Sequence, residues 1–231
     1  CNNNKWLNVT THFFWILYNY IMKNNFPNKI PIFPLSGVIY FPKTNLPLNI
    51  FEKRYLQLVD DIMKNDKYMG MIQSKENSNQ VYKVGCLGKV SDFKKTADGR
   101  VLLNLTGIIR FEIISEIDNG KNYREFEVFY DKFKQDLTES EKNKIQPEKF
   151  SFFTIKIKKF FEKNGLLLNW KEFEILSQSQ QINTLSMIAP ISNEEKQKLL
   201  ETVDVEEKTK ILSEIIEFYL HETNYSQDTV Q

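Results

Sequence analysis

The sequence predicts an α+β chain: a small β-barrel or folded sheet with one helix, followed by a C-terminal helical bundle. Three observations carry this. Between residues 29 and 133, short apolar runs alternate with turn signals such as Asp98-Gly99 and Asp118-Asn119-Gly120. From Pro147 onward the apolar residues recur at helical spacing instead. The 231 residues, 41% hydrophobic and 26% charged, suffice for a sizeable core. The change falls near residue 135. It divides the chain into a leader 1–28, a β domain 29–135, a helical bundle 136–221 and a disordered tail 222–231.

The elements follow in order. Lys29–Leu35 is an extended run whose Pro31 and Pro34 fit only an edge or irregular strand. Leu46–Ile50 resembles it. In Glu52–Asn65, Tyr55, Leu58, Val59, Ile62 and Met63 recur at helical spacing, with Glu52 in the first turn. Met69–Gln73 and Tyr82–Lys94 read as strands, the second with Gly85 and Gly88 where a bulge or close backbone approach belongs. Val101–Leu105 returns after a two-residue hairpin signal at Asp98-Gly99. Ile108–Ile117 and Tyr123–Phe133 form a further pair.

Phe150, Phe153, Ile157, Phe160 and Phe161 then make a helical stripe ending near Gly165, and Trp170–Gln180 and Gln181–Ala189 are shorter helices. Ser192 and Glu195 form a capping box, and Asp204 with Glu207 repeats it ahead of a last helix, Val205–His221, whose stripe is Ile211, Leu212, Ile215 and Ile216. These helices make the bundle.

Composition excludes several chemistries. Net charge is +1, so no global field draws nucleic acid or an anionic membrane. Two cysteines, Cys1 and Cys86, rule out a disulfide scaffold and point to a reducing, cytoplasmic setting. Two distant histidines, His12 and His221, have no metal-ligand spacing and leave little for acid–base catalysis. Phosphate-loop and nucleophile-elbow motifs are absent. Cys86, in Gly85-Cys86-Leu87-Gly88, has no His in its half of the chain from Met22 onward to activate it, and reads as structural. Lys156, Lys158, Lys159 and Lys163 read as a solvated helix face. No catalytic residue, cofactor site or metal site is expected.

Residues 1–21 read CNNNKWLNVTTHFFWILYNYI; the apolar run Phe13–Ile21 is too short to span a bilayer. Met22 begins a polar stretch leading into the first strand and is expected as the native start.

The segment Phe33–Tyr55, FPLSGVIYFPKTNLPLNIFEKRY, is too apolar and too rich in proline for an ordinary surface loop. It reads as a strand–loop–helix crossover, part of which forms an apolar surface for extended peptides. The candidate binding residues are Phe41, Pro42, Phe51 and Tyr55.

The same segment resembles the opening of the Lon protease N-terminal domain. The resemblance lies in Phe33-Pro34-Leu35, in Val38-Ile39-Tyr40-Phe41-Pro42-Lys43, and in Leu46-Pro47-Leu48-Asn49-Ile50-Phe51-Glu52-Lys53-Arg54-Tyr55. It continues through Gly70-Met71-Ile72, Val84–Val90, Asp98-Gly99-Arg100, Leu105–Phe111, Met187–Pro190 and Glu195–Glu201. Asn49 stands where the family has His, Lys53 where it has Pro, and Lys43 where it has Gly. The resemblance implies a PUA-like β domain followed by a helical bundle, in a stand-alone form lacking the ATPase and protease domains. It implies a non-enzymatic module of protein quality control that captures exposed apolar or unfolded polypeptide segments, for a partner protease or chaperone. The alternative is a PUA-like RNA-binding protein, against which the near-zero charge and the four arginines argue.

Overall fold

The computed structural model describes residues 26–76, 78–138 and 144–227. The expected start at Met22 therefore lies outside the described residues. Residues 26–28 belong to the fold, not to a leader. Phe26 packs edge-on against Tyr68, the Pro27 carbonyl accepts from the Tyr130 hydroxyl at 2.8 Å, and the Asn28 carbonyl accepts from the Val128 N–H.

The strands are β1 (Lys29–Leu35), β2 (Asn45–Ile50), β3 (Tyr68–Gln73), β4 (Val84–Lys95), β5 (Val101–Ile117) and β6 (Arg124–Phe129). Their order is β2-β5-β4-β3-β1-β6, and β6 also pairs with β5. The pairings β5-β4-β3-β1-β6-β5 therefore run in a cycle, with β2 attached outside it on β5. All are antiparallel except β1–β3, whose parallel register needs a crossover; the chain supplies it through β2 and the first helix, α1 (Lys53–Met63).

The prolines of β1 are explained by its partners. It pairs with β6 over Lys29–Ile32 and with β3 over Ile32–Leu35. Pro31 and Pro34 each have a strand on one side only, so β1 is an edge at both places although it lies inside the cycle.

β5 is one continuous strand of 17 residues, not two. The expected break at Thr106-Gly107 is a shift of register: Leu87 pairs with Ile109 and Gly88 with Gly107, so Ile108 is bulged. Gly107 is also where the Phe41 carbonyl passes so close that a β-carbon would collide with it. The β4–β5 connection spans residues 96–100 rather than two residues, because Thr96 takes part: its N–H bonds to the Arg100 carbonyl, and Gly99 turns with φ +84°.

Ahead of β2, Lys43 and Thr44 together oppose Gly107. The Lys43 N–H donates to the Gly107 carbonyl and the Gly107 N–H to the Thr44 carbonyl, both at 2.9 Å. Lys43 has φ +61°, the left-handed conformation that glycine adopts at the first position of such a bulge. Here a lysine holds that left-handed conformation.

Glu52 is the N-cap of α1, one residue before the first turn. After β6 comes a 3-10 segment, Asp131–Leu137, where a continued strand was expected to Phe133. Phe133 is instead buried beneath the Arg110 guanidinium, 4.5 Å from its ring centroid. Then follow α2 (Pro147–Lys163), α3 (Trp170–Phe173), α4 (Gln178–Ile188), α5 (Asn193–Glu201) and α6 (Val205–Gln227). The expected helix Trp170–Gln180 is cut after Phe173, because Ser177 starts a capping box with Gln180. The capping box at Ser192 and Glu195 forms as its spacing predicts. With no Gly or Pro to stop it, α6 runs beyond His221 to Gln227, so residues 222–227 are helix rather than tail.

One apolar cluster crosses the change from strands to helices. Ile30, Ile32, Phe41, Phe111 and Phe126 of the sheet half join Phe153, Ile157, Phe160, Leu212 and Ile216 of the helices. A second cluster packs α1 on the sheet through Tyr55, Leu58, Val59, Met69 and Leu105.

Candidate functional site

A cleft of ≈ 890 Å³ opens where the end of β1, the end of β2 and the start of α1 meet. Its floor is aromatic. The rings of Phe33 and Tyr55 stack with centroids 4.0 Å apart and planes inclined by 28°. Ile50 ends β2 in the core, α1 begins at Lys53, and Phe51 lies in the short link between them. A core-facing strand end followed directly by a helix turns Phe51 outward, where it is 65% exposed.

The rim is charged but internally paired. The Glu52 side chain makes no cap bond and accepts instead from Arg54 Nε at 2.9 Å, while the Arg54 guanidinium lies 4.5 Å from the Tyr55 ring centroid. Across the cleft Arg124 holds Glu116 through Nε and Nη2 at 2.6 and 2.7 Å, and its Nη1 donates to the Asn79 carbonyl at 2.9 Å. The Arg124 hydrogen bond lowers the Glu116 carboxyl, and burial raises the Tyr55 hydroxyl against an opposing pull from Arg54. Each rim carboxylate is thus matched by an arginine.

Of the four residues expected to bind, the structure brings Phe51 and Tyr55 to this cleft. Tyr55 is 5% exposed and contributes its stacked ring; Phe51 contributes free surface. Phe41 and Pro42 are elsewhere and buried, Phe41 completely. They form the joint between sheet and helices. The Pro42 carbonyl accepts from Asn183 Nδ2 at 3.0 Å, and the Phe41 ring lies 5.5 Å from the Lys208 amine. Their burial corrects the expectation that they face a ligand. Phe33, Glu116 and Arg124 were not expected at the site. Phe33 stood in the segment already singled out, whereas nothing local marks Glu116 or Arg124, which the β5–β6 pairing delivers.

The joint also carries a second polar group of residues around a pocket of ≈ 260 Å³ lined by Arg110, Asp136, Asn183 and Lys208. Lys208 is 2% exposed and donates to Asn183 Oδ1 at 3.0 Å. Burial, then the nearby Arg110, pushes its ammonium well below the usual lysine range. Cys86 is fully buried, and burial drives its thiol up, as suits a structural cysteine. Among the described residues no group of His, Cys, Asp or Glu could hold a metal ion, and no helix is long and apolar enough to cross a membrane.

The model of the ATP-dependent protease La (LON) substrate-binding domain matches residues 29–217. The chain belongs to this family. Among curated relatives, the Lon protease of Syntrophus aciditrophicus is 24% identical over 212 residues, 84% of this chain and 25% of that protein. The Lon protease of Buchnera aphidicola subsp. Schizaphis graminum is 26% identical over 201 residues, 82% of this chain and 25% of that protein. The chain therefore spans about a quarter of the length of the curated relatives it matches, and the matching part is the Lon substrate-binding domain, not the ATPase or protease domain. A Lon N-terminal domain protein from Xanthomonas campestris is similar in structure with TM-score 0.60 and 20% identity, over 80% of this chain and 96% of that one. The N-terminal domain of Mycobacterium avium complex Lon protease gives 0.58 and 16%, over 82% and 98%. At these identities the likeness shows the fold: a mixed sheet followed by helices, as in Lon N-terminal domains. The RNA-binding alternative finds no support in this family.

Proposed function

We propose that this Lon substrate-binding domain captures exposed apolar segments of unfolded polypeptide in the cleft beside Phe51 and Tyr55. It works in the cytoplasm, hydrolyses neither peptide bonds nor ATP itself, and delivers what it holds to a Lon-type protease. The observation that carries this reading is the exposed Phe51 ring beside the stacked Phe33 and Tyr55 rings, in a cleft whose rim charges cancel in pairs. An apolar contact of roughly 200–300 Å² at about 25 cal/mol per Å² offers about 5–7 kcal/mol before ordering costs. That supports micromolar or weaker, sequence-tolerant capture. It requires little electrostatic attraction, so salt should leave it almost unchanged, unlike phosphate-driven RNA binding.

The test is a titration of an unfolded model peptide and of a structured RNA at low and moderate salt. Peptide binding that survives salt and weakens in Phe51→Ser is the expected result. Salt-sensitive RNA binding without peptide binding would sink the proposal. Turnover of ATP or casein that co-purifies with the folded protein and is lost in an unfolded variant would overturn the non-enzymatic part.

A further inference from the structure

The pocket of ≈ 260 Å³ at the joint between sheet and helices is built mainly from groups of one sign. Lys43, Arg110, Lys144 and Lys208 line it, and Asp136 is the one carboxylate among the described residues that do. Asp136 is already held by Arg110 through two bonds. Two of the lysines meet the same face of α4. Lys43 Nζ donates to Ser179 Oγ at 3.2 Å, and Lys208 Nζ donates to Asn183 Oδ1 at 3.0 Å. Ser179 and Asn183 stand at i and i+4, so they are neighbours on the helix surface. Lys43 comes from the bulge before β2 and Lys208 from α6. The tertiary fold therefore brings together two like charges that are far apart in sequence.

They converge at the positive end of a helix. The capping box of Ser177 and Gln180 satisfies the N–H groups of those two residues. The N–H groups of Gln178 and Ser179, the first two of α4, bond to no described residue, and the helix dipole adds partial positive charge there. Lys208 is buried, and an ammonium has three hydrogens to give. One goes to Asn183 Oδ1, the Phe41 ring lies 5.5 Å from the amine, and Lys208 makes no ion pair with a described residue. Burial and then the Arg110 charge oppose its charged form. A negative group in the pocket would offset both.

We propose that this pocket is an anion site that takes a phosphate group, held by the Lys208 and Lys43 ammonium groups, the Ser179 hydroxyl and the first N–H groups of α4. A tetrahedral phosphate offers several acceptor oxygens to donors arriving from different directions, as these do, whereas a planar carboxylate offers two. Lysines bind phosphate as point charges, and the one arginine here is engaged with Asp136. The bound group would bridge the sheet half, through Lys43, to α4 and α6. The site is separate from the cleft at Phe51 and does not depend on polypeptide capture.

The test follows the amide NMR spectrum of the full, isotope-labelled chain as inorganic phosphate, glycerol phosphate or acetate is added, with chloride holding the ionic strength constant. Phosphate should shift the Gln178 and Ser179 amides along a saturating curve, with a dissociation constant of about a millimolar or below. Lys208→Met should weaken binding about tenfold or more, while Lys156→Met, on α2, should leave it within about twofold. Should the Lys208 variant fail to fold, Ser179→Ala makes the same test. Glycerol phosphate binding as tightly as phosphate would identify the ligand as the end of a phosphate ester; its exclusion would identify free phosphate. An equal response to acetate would overturn the phosphate class. Shifts that do not saturate, that chloride reproduces, or that survive unchanged in Lys208→Met would overturn the site.

Discussion

Arg110 and Asp136 meet through two parallel bonds, Nη2 to Oδ1 at 2.7 Å and Nε to Oδ2 at 2.9 Å, with side-chain exposures of 1% and 7%. The backbone N–H of Arg110 adds a third bond to the same carboxylate, and Nη1 reaches the carbonyls of Leu200 and Thr202 at the end of α5. One guanidinium on β5 thus joins the 3-10 segment and the carbonyl end of a helix, where a cation is favoured.

Asp136→Ala should destabilise the fold by about 3–5 kcal/mol, because it leaves a buried guanidinium without its anion. Replacing both partners with apolar residues, Arg110→Met with Asp136→Leu, should be less harmful, about 1–3 kcal/mol, for the helix-end carbonyls left without a donor. Urea unfolding of the three proteins measures this. A double variant as unstable as the sum of the single ones would show that the pair does not act as a unit.

Lys43→Gly should raise stability by about 0.5–1 kcal/mol, since a left-handed residue with a β-carbon is strained. The Lys43 Nζ bond to Ser179 Oγ, 3.2 Å long, is one opposing loss. Lys43→Val should destabilise, because a branched β-carbon fits this conformation worst. Denaturant midpoints decide; a less stable glycine variant would show that the side-chain contact outweighs the strain.

Lys208 links stability to pH. Its folded pKa is depressed, so between that value and the ordinary 10.5 the unfolded chain binds the extra proton and stability rises with pH. The raised thiol of Cys86 acts oppositely above its ordinary 9.0, so the Lys208 effect is read as a difference from Lys208→Met. The advantage of the methionine variant should shrink as pH climbs from about 7 to about 9.5. Parallel stability curves for the two proteins would refute the shift.

Ile216→Asp should cost several kcal/mol, because the position is fully buried in α6 and the carboxylate would find no partner. Phe152→Ser on the outer face of α2, where the ring is mostly exposed, should change stability by less than about 0.5 kcal/mol. Thermal unfolding of both checks whether the helical half packs as described.

Local features were the readable ones. The capping box at Ser192, the α1 stripe and the one-sided pairing implied by Pro31 and Pro34 each depend on residues a few positions apart, and each is present. Arg110 was only a landmark in a resemblance, because its partners Asp136 and Leu200 lie 26 and 90 positions away. At the site, Phe51 and Phe41 have the same apolar character in sequence. What separates them is that α4 and α6 cover Phe41, through Asn183 and Lys208, while no helix among the described residues lies over Phe51. Phe41 and Pro42 are buried for that reason.

The cycle of strands also sets an order of assembly. β1 is the first strand among the described residues, yet Lys29 finds its partner at Glu127, and the ring is completed only by the two pairings of β6. During synthesis β3 can pair with the second half of β1 early, but the first half, Lys29–Ile32, must wait for β6 at residues 124–127 to emerge. Arg110 waits longer still, for the carbonyls of Leu200 and Thr202. Such long-range closure makes folding slow and leaves nascent apolar edges open to other chains. A protein proposed to hold unfinished polypeptides is itself, for a time, one of them.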